Sequence, residues 1–170
     1  MQLASYRLRL ALFLSLVLLS CPLVQAQQLT PRYGLGLGTM ISSEDGVGLG
    51  LRTRISVPVN ADLSGAMDFG LTGFIFSGRR DATWVFDPQL SAIVTLVPRG
   101  NSATYILTGL GAYAPLSNRN ESVSGPTLHF GVGRVQMLRE TTIFYEINPA
   151  LVIGLDAIDF ALPLRAGVIF

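Results

Sequence analysis

The chain has 170 residues, 49% of them apolar and only 14% charged, against the roughly 25% charged typical of soluble domains. Beyond residue 26, Gly, Arg, Asp or Asn recurs every few positions, so no window approaches the roughly 18 uninterrupted apolar residues a spanning helix needs. The net charge of +1 includes Arg7 and Arg9 of a leader; taking those two from the twelve basic residues leaves ten arginines against eleven carboxylates, which excludes a basic field for nucleic acid.

Residues 1–26 have a basic start at Arg7 and Arg9, an apolar run from Leu10 to Val24 and a small-residue exit at Val24-Gln25-Ala26. This pattern predicts a secretory signal peptide over 1–26 and a mature domain over 27–170. Leu18-Leu19-Ser20-Cys21 also fits a lipobox, although the apolar run continues past Cys21. Cys21 is the one cysteine, so the mature chain has no disulfide or thiolate metal site.

From Arg32 onward, short alternating runs are separated by turn-rich clusters, which predicts eight strands near 32–40, 46–57, 63–76, 83–97, 103–114, 126–138, 141–153 and 158–170. The first sets Tyr33, Leu35 and Leu37 on one face and Gly34, Gly36 and Gly38 on the other. These glycines suggest a phosphate loop, but the dinucleotide fingerprint needs a helix after the glycines and none follows. The second strand sets Leu49, Leu51 and Ile55 against Arg52 and Arg54. A five-residue turn from Pro58 to Asp62 would place Val57 against Leu63, and therefore Arg52 opposite Asp68 and Leu51 beside Phe69. The third and fourth strands carry Met67, Phe69, Leu71, Trp84, Phe86 and Leu90 on the oily face, with Asp68, Asp87 and Gln89 on the other.

On the fifth strand Tyr105 and Tyr113 lie eight residues apart, about 26 Å at ~3.3 Å per residue. That matches the spacing of two interfacial aromatic girdles and points both tyrosines outward, with Gly109 and Gly111. On the sixth, Leu128, Phe130 and Val132 point outward, which takes Arg134 with them unless a bulge resets the phase or the side chain snorkels to an interface. His129 is the only histidine. No hydroxyl stands two residues on, so a nucleophile for it is not supplied locally, and a lumen or rim position is the default.

The last two strands would pair about Gly154–Ala157, setting Ile153 against Ile158, Glu146 against Arg165 and Ile147 against Leu164. The same register brings Asn148 opposite Pro163 and Pro149 opposite Leu162. Two residues without an N–H then fall in adjacent rungs, which predicts a bulge or lost hydrogen bonds there. The final strand, 160–170, has one oily face, Phe160, Leu162, Leu164, Ala166, Val168 and Phe170.

Alternation alone does not say which face is inside. The polar face is sparse, Gly-rich and charge-balanced, Arg52, Arg54 and Arg165 facing Asp68, Asp87 and Glu146, whereas a solvated exterior would be crowded with charge. An all-β, eight-stranded antiparallel up-and-down transmembrane β-barrel satisfies both faces, with the six charges as a structural network in a lumen just wide enough for side chains. The intervals after even-numbered strands are tight, and those after odd-numbered strands are longer, as periplasmic turns and external loops would be.

A leader, eight alternating strands and a terminal Phe170 resemble the small OmpA/OmpX-like bacterial outer-membrane barrels. The resemblance implies residence in the Gram-negative outer membrane, lipid and the barrel-insertion machinery as partners, and Phe170 as part of the assembly signal. With the resemblance confined to the barrel, the anchor role of a two-domain OmpA with a peptidoglycan-binding domain is not expected. The reading is a monomeric barrel with a plugged lumen, a structural or surface-interaction role, no enzymatic activity and no cofactor or metal; its surface ligand is unknown. A transporter or lateral gate for small hydrophobic molecules would need an open lumen or a gap in the wall. A lipid A-modifying barrel enzyme would need His129 at a membrane-facing rim beside a hydroxyl, and a secreted soluble lipid-binding barrel would need its oily face inside.

Overall fold

The computed structural model describes residues 30–75, 82–96, 99–117, 122–155 and 157–170. The leader over 1–26, Cys21, and the expected loop residues at 77–81, 118–121 and 156 lie outside the described residues. The strands are β1 (Arg32–Ser42), β2 (Gly46–Pro58), β3 (Leu63–Phe74), β4 (Thr83–Thr95), β5 (Ser102–Pro115), β6 (Gly125–Met137), β7 (Thr142–Ile147), β8 (Ala150–Ile153) and β9 (Ile158–Ile169). Each pairs antiparallel with its neighbour, and β9 returns to β1 from Gly34↔Ile169 to Ser42↔Ala161. β7 and β8 lie in line between β6 and β9, one stave interrupted at Asn148-Pro149. The result is the closed eight-stranded antiparallel barrel that the alternation predicts. Phe170 extends the seam, its N–H donating to the Tyr33 carbonyl (2.9 Å) and its carbonyl accepting from the Tyr33 N–H (3.1 Å).

The wall is apolar outside and polar inside. Leu37 is 66% exposed, Leu90 60% and Phe130 60%, while Asp68 is fully buried and Arg54 is 4% exposed. A soluble barrel has the inverse arrangement. Several interior glycines make room for rings: a methyl at Gly36 would lie 3.0 Å from the Phe144 ring, and one at Gly133 would overlap Tyr105. The end of the barrel away from Arg32 and Phe170, here the far end, is filled by Met40, Phe74, Val85, Tyr113, Val152 and Ala161.

Two expectations of phase and register are corrected. Tyr105 and Tyr113 point inward, 4% and 2% exposed, each with a buried carboxylate for its hydroxyl, Glu146 at 2.9 Å and Asp45 at 2.7 Å. A buried phenol needs such a partner, and the small odd-numbered glycines of β5 turn inward with it. Between β2 and β3 the register is shifted by two residues: Pro58 pairs Ser64, Arg54 pairs Asp68 and Thr53 pairs Phe69. The turn is tighter than supposed. The N–H groups of Val59 and Asn60 donate to the Leu63 carbonyl, and the Asn60 side chain accepts from Asp62 and Leu63. An Asx-type turn of this kind carries the pairing one rung further.

The last hairpin follows its expected register: Ile153↔Ile158, Glu146↔Arg165 and Ile147↔Leu164. Register is the same on both sides of the interruption, so hydrogen bonds are lost and no bulge forms. Asn148 N–H donates to the Pro163 carbonyl and Phe130 N–H to the Pro149 carbonyl, both at 3.1 Å, and neither proline has a donor to return. A second break, not foreseen, lies at Pro88, where the β4–β5 ladder skips from Phe86↔Ala114 to Gln89↔Gly111.

Candidate functional site: the charged lumen and its two ends

Alternation on β2, β3, β4, β7 and β9 carries six charged side chains to one level of the lumen. Arg54 donates from Nε to Asp68 Oδ1 (2.8 Å) and from Nη1 to Glu146 Oε2 (2.9 Å). Arg165 Nη1 donates to Glu146 Oε1 (2.8 Å), and Arg52 Nη2 contacts Asp87. Arg52 Nη1 lies 4.0 Å from Asp68, so the partner expected for Arg52 is its second neighbour. Glu146 is the hub, since its Oε2 also accepts from the Tyr105 hydroxyl. Gln89 ties the network to the interrupted stave, its Oε1 accepting from Arg165 Nη2 and Asn148 Nδ2, each at 3.2 Å. All six charged residues are at least nine-tenths buried. Removing one charge from such a set leaves another uncompensated, which is where its energetic weight lies.

The far end carries a second polar group that the sequence reading did not single out. Asp159 accepts from the Ser42 hydroxyl (2.8 Å) and the Ser43 N–H (3.1 Å); Asp45 accepts from the Tyr113 and Ser122 hydroxyls, both at 2.7 Å. Asp45 reaches inward because the β1–β2 turn is tight: Ser42 Oγ accepts from the Asp45 N–H at 2.9 Å, and Gly46 turns the chain at φ 82°. This turn was expected to be among the longer ones. At the opposite end a cavity of about 400 Å³ is lined by Arg32, Arg54, Ser56, Thr95, Tyr105 and Thr142, among others.

His129 lies in the lumen, 1% exposed. A hydroxyl is supplied after all, from β4 across the bare Gly109 of β5: Ser91 Oγ is 3.0 Å from His129 Nε2. His129 Nδ1 has no hydrogen-bond partner among the described residues, so no carboxylate orients the ring as a hydrolytic triad requires. Arg134 points outward without a bulge, and its Nη2 donates to Ser102 Oγ (2.9 Å) near the terminal end. Among the described residues no three His, Cys, Asp or Glu side chains converge as metal ligands would.

An apolar wall, an interior of paired charges and eight antiparallel strands closed at a terminal seam define a small barrel of the outer-membrane type. Solved structures bear out that fold. Neisserial surface protein A is similar at a TM-score of 0.67 with 14% identity, over 82% of this chain and 95% of that one. The N-terminal β-barrel domain of Pseudomonas aeruginosa OprF is similar at 0.55 and 15%, over 82% and 97%, and the outer membrane enzyme PagL at 0.56 and 11%, over 79% and 97%. At these identities the likeness is one of fold, and the fold serves enzymes as well as other proteins. No family model and no curated protein matches the sequence.

Proposed function

We propose that the protein is an integral outer-membrane β-barrel, exported on a cleaved leader and monomeric, whose lumen is plugged by its own side chains and whose role is structural or one of surface interaction. The carrying observation is the inverted wall: a continuous apolar exterior around a balanced, hydrogen-bonded set of six buried charges. Water would not tolerate that exterior, and hydrocarbon requires a closed ladder of this kind. Membrane fractionation followed by a gel of unboiled and boiled samples tests the location; a soluble chain without heat-modifiable migration would refute it. The plug is tested by single-channel recording in planar bilayers, where steady ion conductance would refute it. Phe170 completes the seam with Tyr33, which supports its role as an assembly signal. Its deletion is expected to slow insertion severalfold, and insertion at the wild-type rate would remove that role.

The contact between Ser91 and His129 favours a second reading, a lipid-modifying barrel enzyme; the similar fold of the outer membrane enzyme PagL is compatible with an enzyme. The burial of both residues and the unoriented ring weigh against it. Ester hydrolysis by the inserted barrel that is lost in Ser91→Ala would reverse the preference.

A further inference from the structure

The outer wall carries a concavity of about 710 Å³ spanning β2 to β5, in the half nearer Arg32 and Phe170. Its floor is one row of small residues, Gly65 beside Ala92 beside Thr108. Thr108 turns its hydroxyl back to the His129 carbonyl (3.0 Å) and so presents its methyl. Larger side chains, Met67, Leu90 and Leu110, form the rim toward the far end.

Gly65 is the telling residue. Two strand glycines point outward, and the other, Gly73, is covered by the Trp84 ring at 3.1–3.3 Å from where a methyl would stand. A methyl on Gly65 would meet nothing within 4 Å. Glycine weakens a strand by roughly 0.5–1 kcal/mol relative to alanine, and neither packing nor backbone conformation in this chain asks for one here. Glycine so placed marks a surface that something outside the chain approaches closely.

Toward the Phe170 end of the barrel from the hollow is a basic pair, one arginine in the β4–β5 turn and one on the adjacent β6. Arg99, exposed in the β4–β5 turn, exchanges backbone hydrogen bonds with Ser102 (2.8 and 3.2 Å), and Arg134 donates to the Ser102 hydroxyl from β6. Neither arginine is in an ion pair among the described residues. The acidic side chains of the turns at this end are Asp62, in the neighbouring β2–β3 turn, its carbonyl accepting from the Thr95 N–H, and the exposed Glu140 of the β6–β7 turn. From Thr104, which pairs Arg134, to Thr108 is four residues, about 13 Å at ~3.3 Å per residue. One leaflet offers about 15 Å of hydrocarbon, half of the roughly 30 Å core.

We propose that this face is a binding site for one phospholipid of the periplasmic leaflet, its phosphate between Arg99 and Arg134 at Ser102 and an acyl chain in the hollow over Gly65, Ala92 and Thr108. The site rests on the membrane reading above. Arginine suits the phosphate because its planar fork takes two oxygens at once, and the hollow gives a chain deeper contact than the flat wall around it.

The test is native mass spectrometry of the full chain released from micelles, titrated with palmitoyl-oleoyl phosphatidylglycerol, with chemical cross-linking of the same proteins in vesicles. Wild type is expected to retain one lipid. Gly65→Phe, whose Cβ has nothing within 4 Å and whose ring would occupy the hollow, should abolish retention, and Arg99→Gln and Arg134→Gln should each weaken it about fivefold. Retention unchanged in all three variants would overturn the site. So would a cross-linked wild-type dimer that Gly65→Phe dissolves, since the hollow would then seat a second copy. Failure of wild type to insert into vesicles at all would refute the membrane reading and this site together, whereas an inserted, heat-modifiable barrel with unchanged lipid retention refutes the site alone.

Discussion

Glu146→Ala is the substitution that most directly measures what the interior contributes. It removes the acceptor of Arg54 Nη1, of Arg165 Nη1 and of the Tyr105 hydroxyl, at 2.9, 2.8 and 2.9 Å, in a residue 3% exposed. The balanced set of three cations and three anions becomes three against two. Breaking a buried pair from one side typically costs about 3–5 kcal/mol, and an unsatisfied buried hydroxyl adds about 1–3. Arg54 keeps Asp68 and Arg165 keeps Gln89, which absorbs part of the loss, so a destabilisation of about 4 kcal/mol is expected. Glu146→Gln keeps an acceptor and loses the charge, and should cost about half as much. The assay is urea unfolding from vesicles with linear extrapolation, followed by Trp84, the single tryptophan of the chain, which stands on the outer wall. Adding Arg165→Met to Glu146→Ala should cost less than the two single changes summed. A Glu146→Ala barrel within about 1 kcal/mol of wild type would refute the reasoning, because the charges would then be solvated rather than mutually dependent.

Three further outcomes follow from the register. In double-mutant cycles Asp68 should couple to Arg54 by about 2 kcal/mol and to Arg52 by less than half of that, since the first contact is 2.8 Å and the second 4.0 Å; the reverse order would refute the register. Gly133→Ala should destabilise by about 1–3 kcal/mol in the same urea assay, because the new methyl overlaps Tyr105 and displaces its hydroxyl from Glu146, while Gly65→Ala, with open space for its methyl, should stabilise by about 0.5–1 kcal/mol; effects of equal sign would deny the packing. Amides flanking Asn148-Pro149 in β6, β8 and β9 should exchange faster than those in the middle of β2 and β3, and uniform protection measured by hydrogen exchange would mean the interrupted stave is not weak.

The sequence made the faces legible wherever bulky apolar residues recur at every second position. Leu35 and Leu37, Leu49 and Leu51, Phe69 and Leu71, and Phe160 to Leu164 each leave one orientation once a polar set stands opposite. β5 lacks that contrast. Its even positions hold Ile106, Leu110 and Ala112 and its odd ones Tyr105, Leu107 and Tyr113, and a tyrosine suits a membrane interface and a lumen carboxylate equally well. Membership of the charge cluster follows from parity alone, whereas its pairing depends on where a turn closes. The Asn60 side chain closes the β2–β3 turn more tightly than the spacing suggests, and that moved Asp68 from Arg52 to Arg54. The contacts of Asp45 with Ser122 and of Ser91 with His129 join residues 77 and 38 positions apart, and no local pattern announces them.

The interior and the wall are not independent. Hydrocarbon offers no partner to a backbone group, and in an antiparallel ladder both polar groups of a residue face the same neighbour. Pro163 accepts from Asn148, so its missing donor is lost on that side and the bonds of β9 to β1 are spared; Pro149 accepts from Phe130, so its donor is lost toward β6. The stave is therefore held by single bonds on both sides at one height. At that height Asn148 reaches across the lumen to Gln89, which also binds Arg165 and lies 3.4 Å from Asp87. A side-chain tie from the inside braces the part of the wall where the ladder is thinnest. Truncating Gln89 should therefore loosen the Asn148-Pro149 stave, an effect the wall hydrogen bonds alone would not transmit.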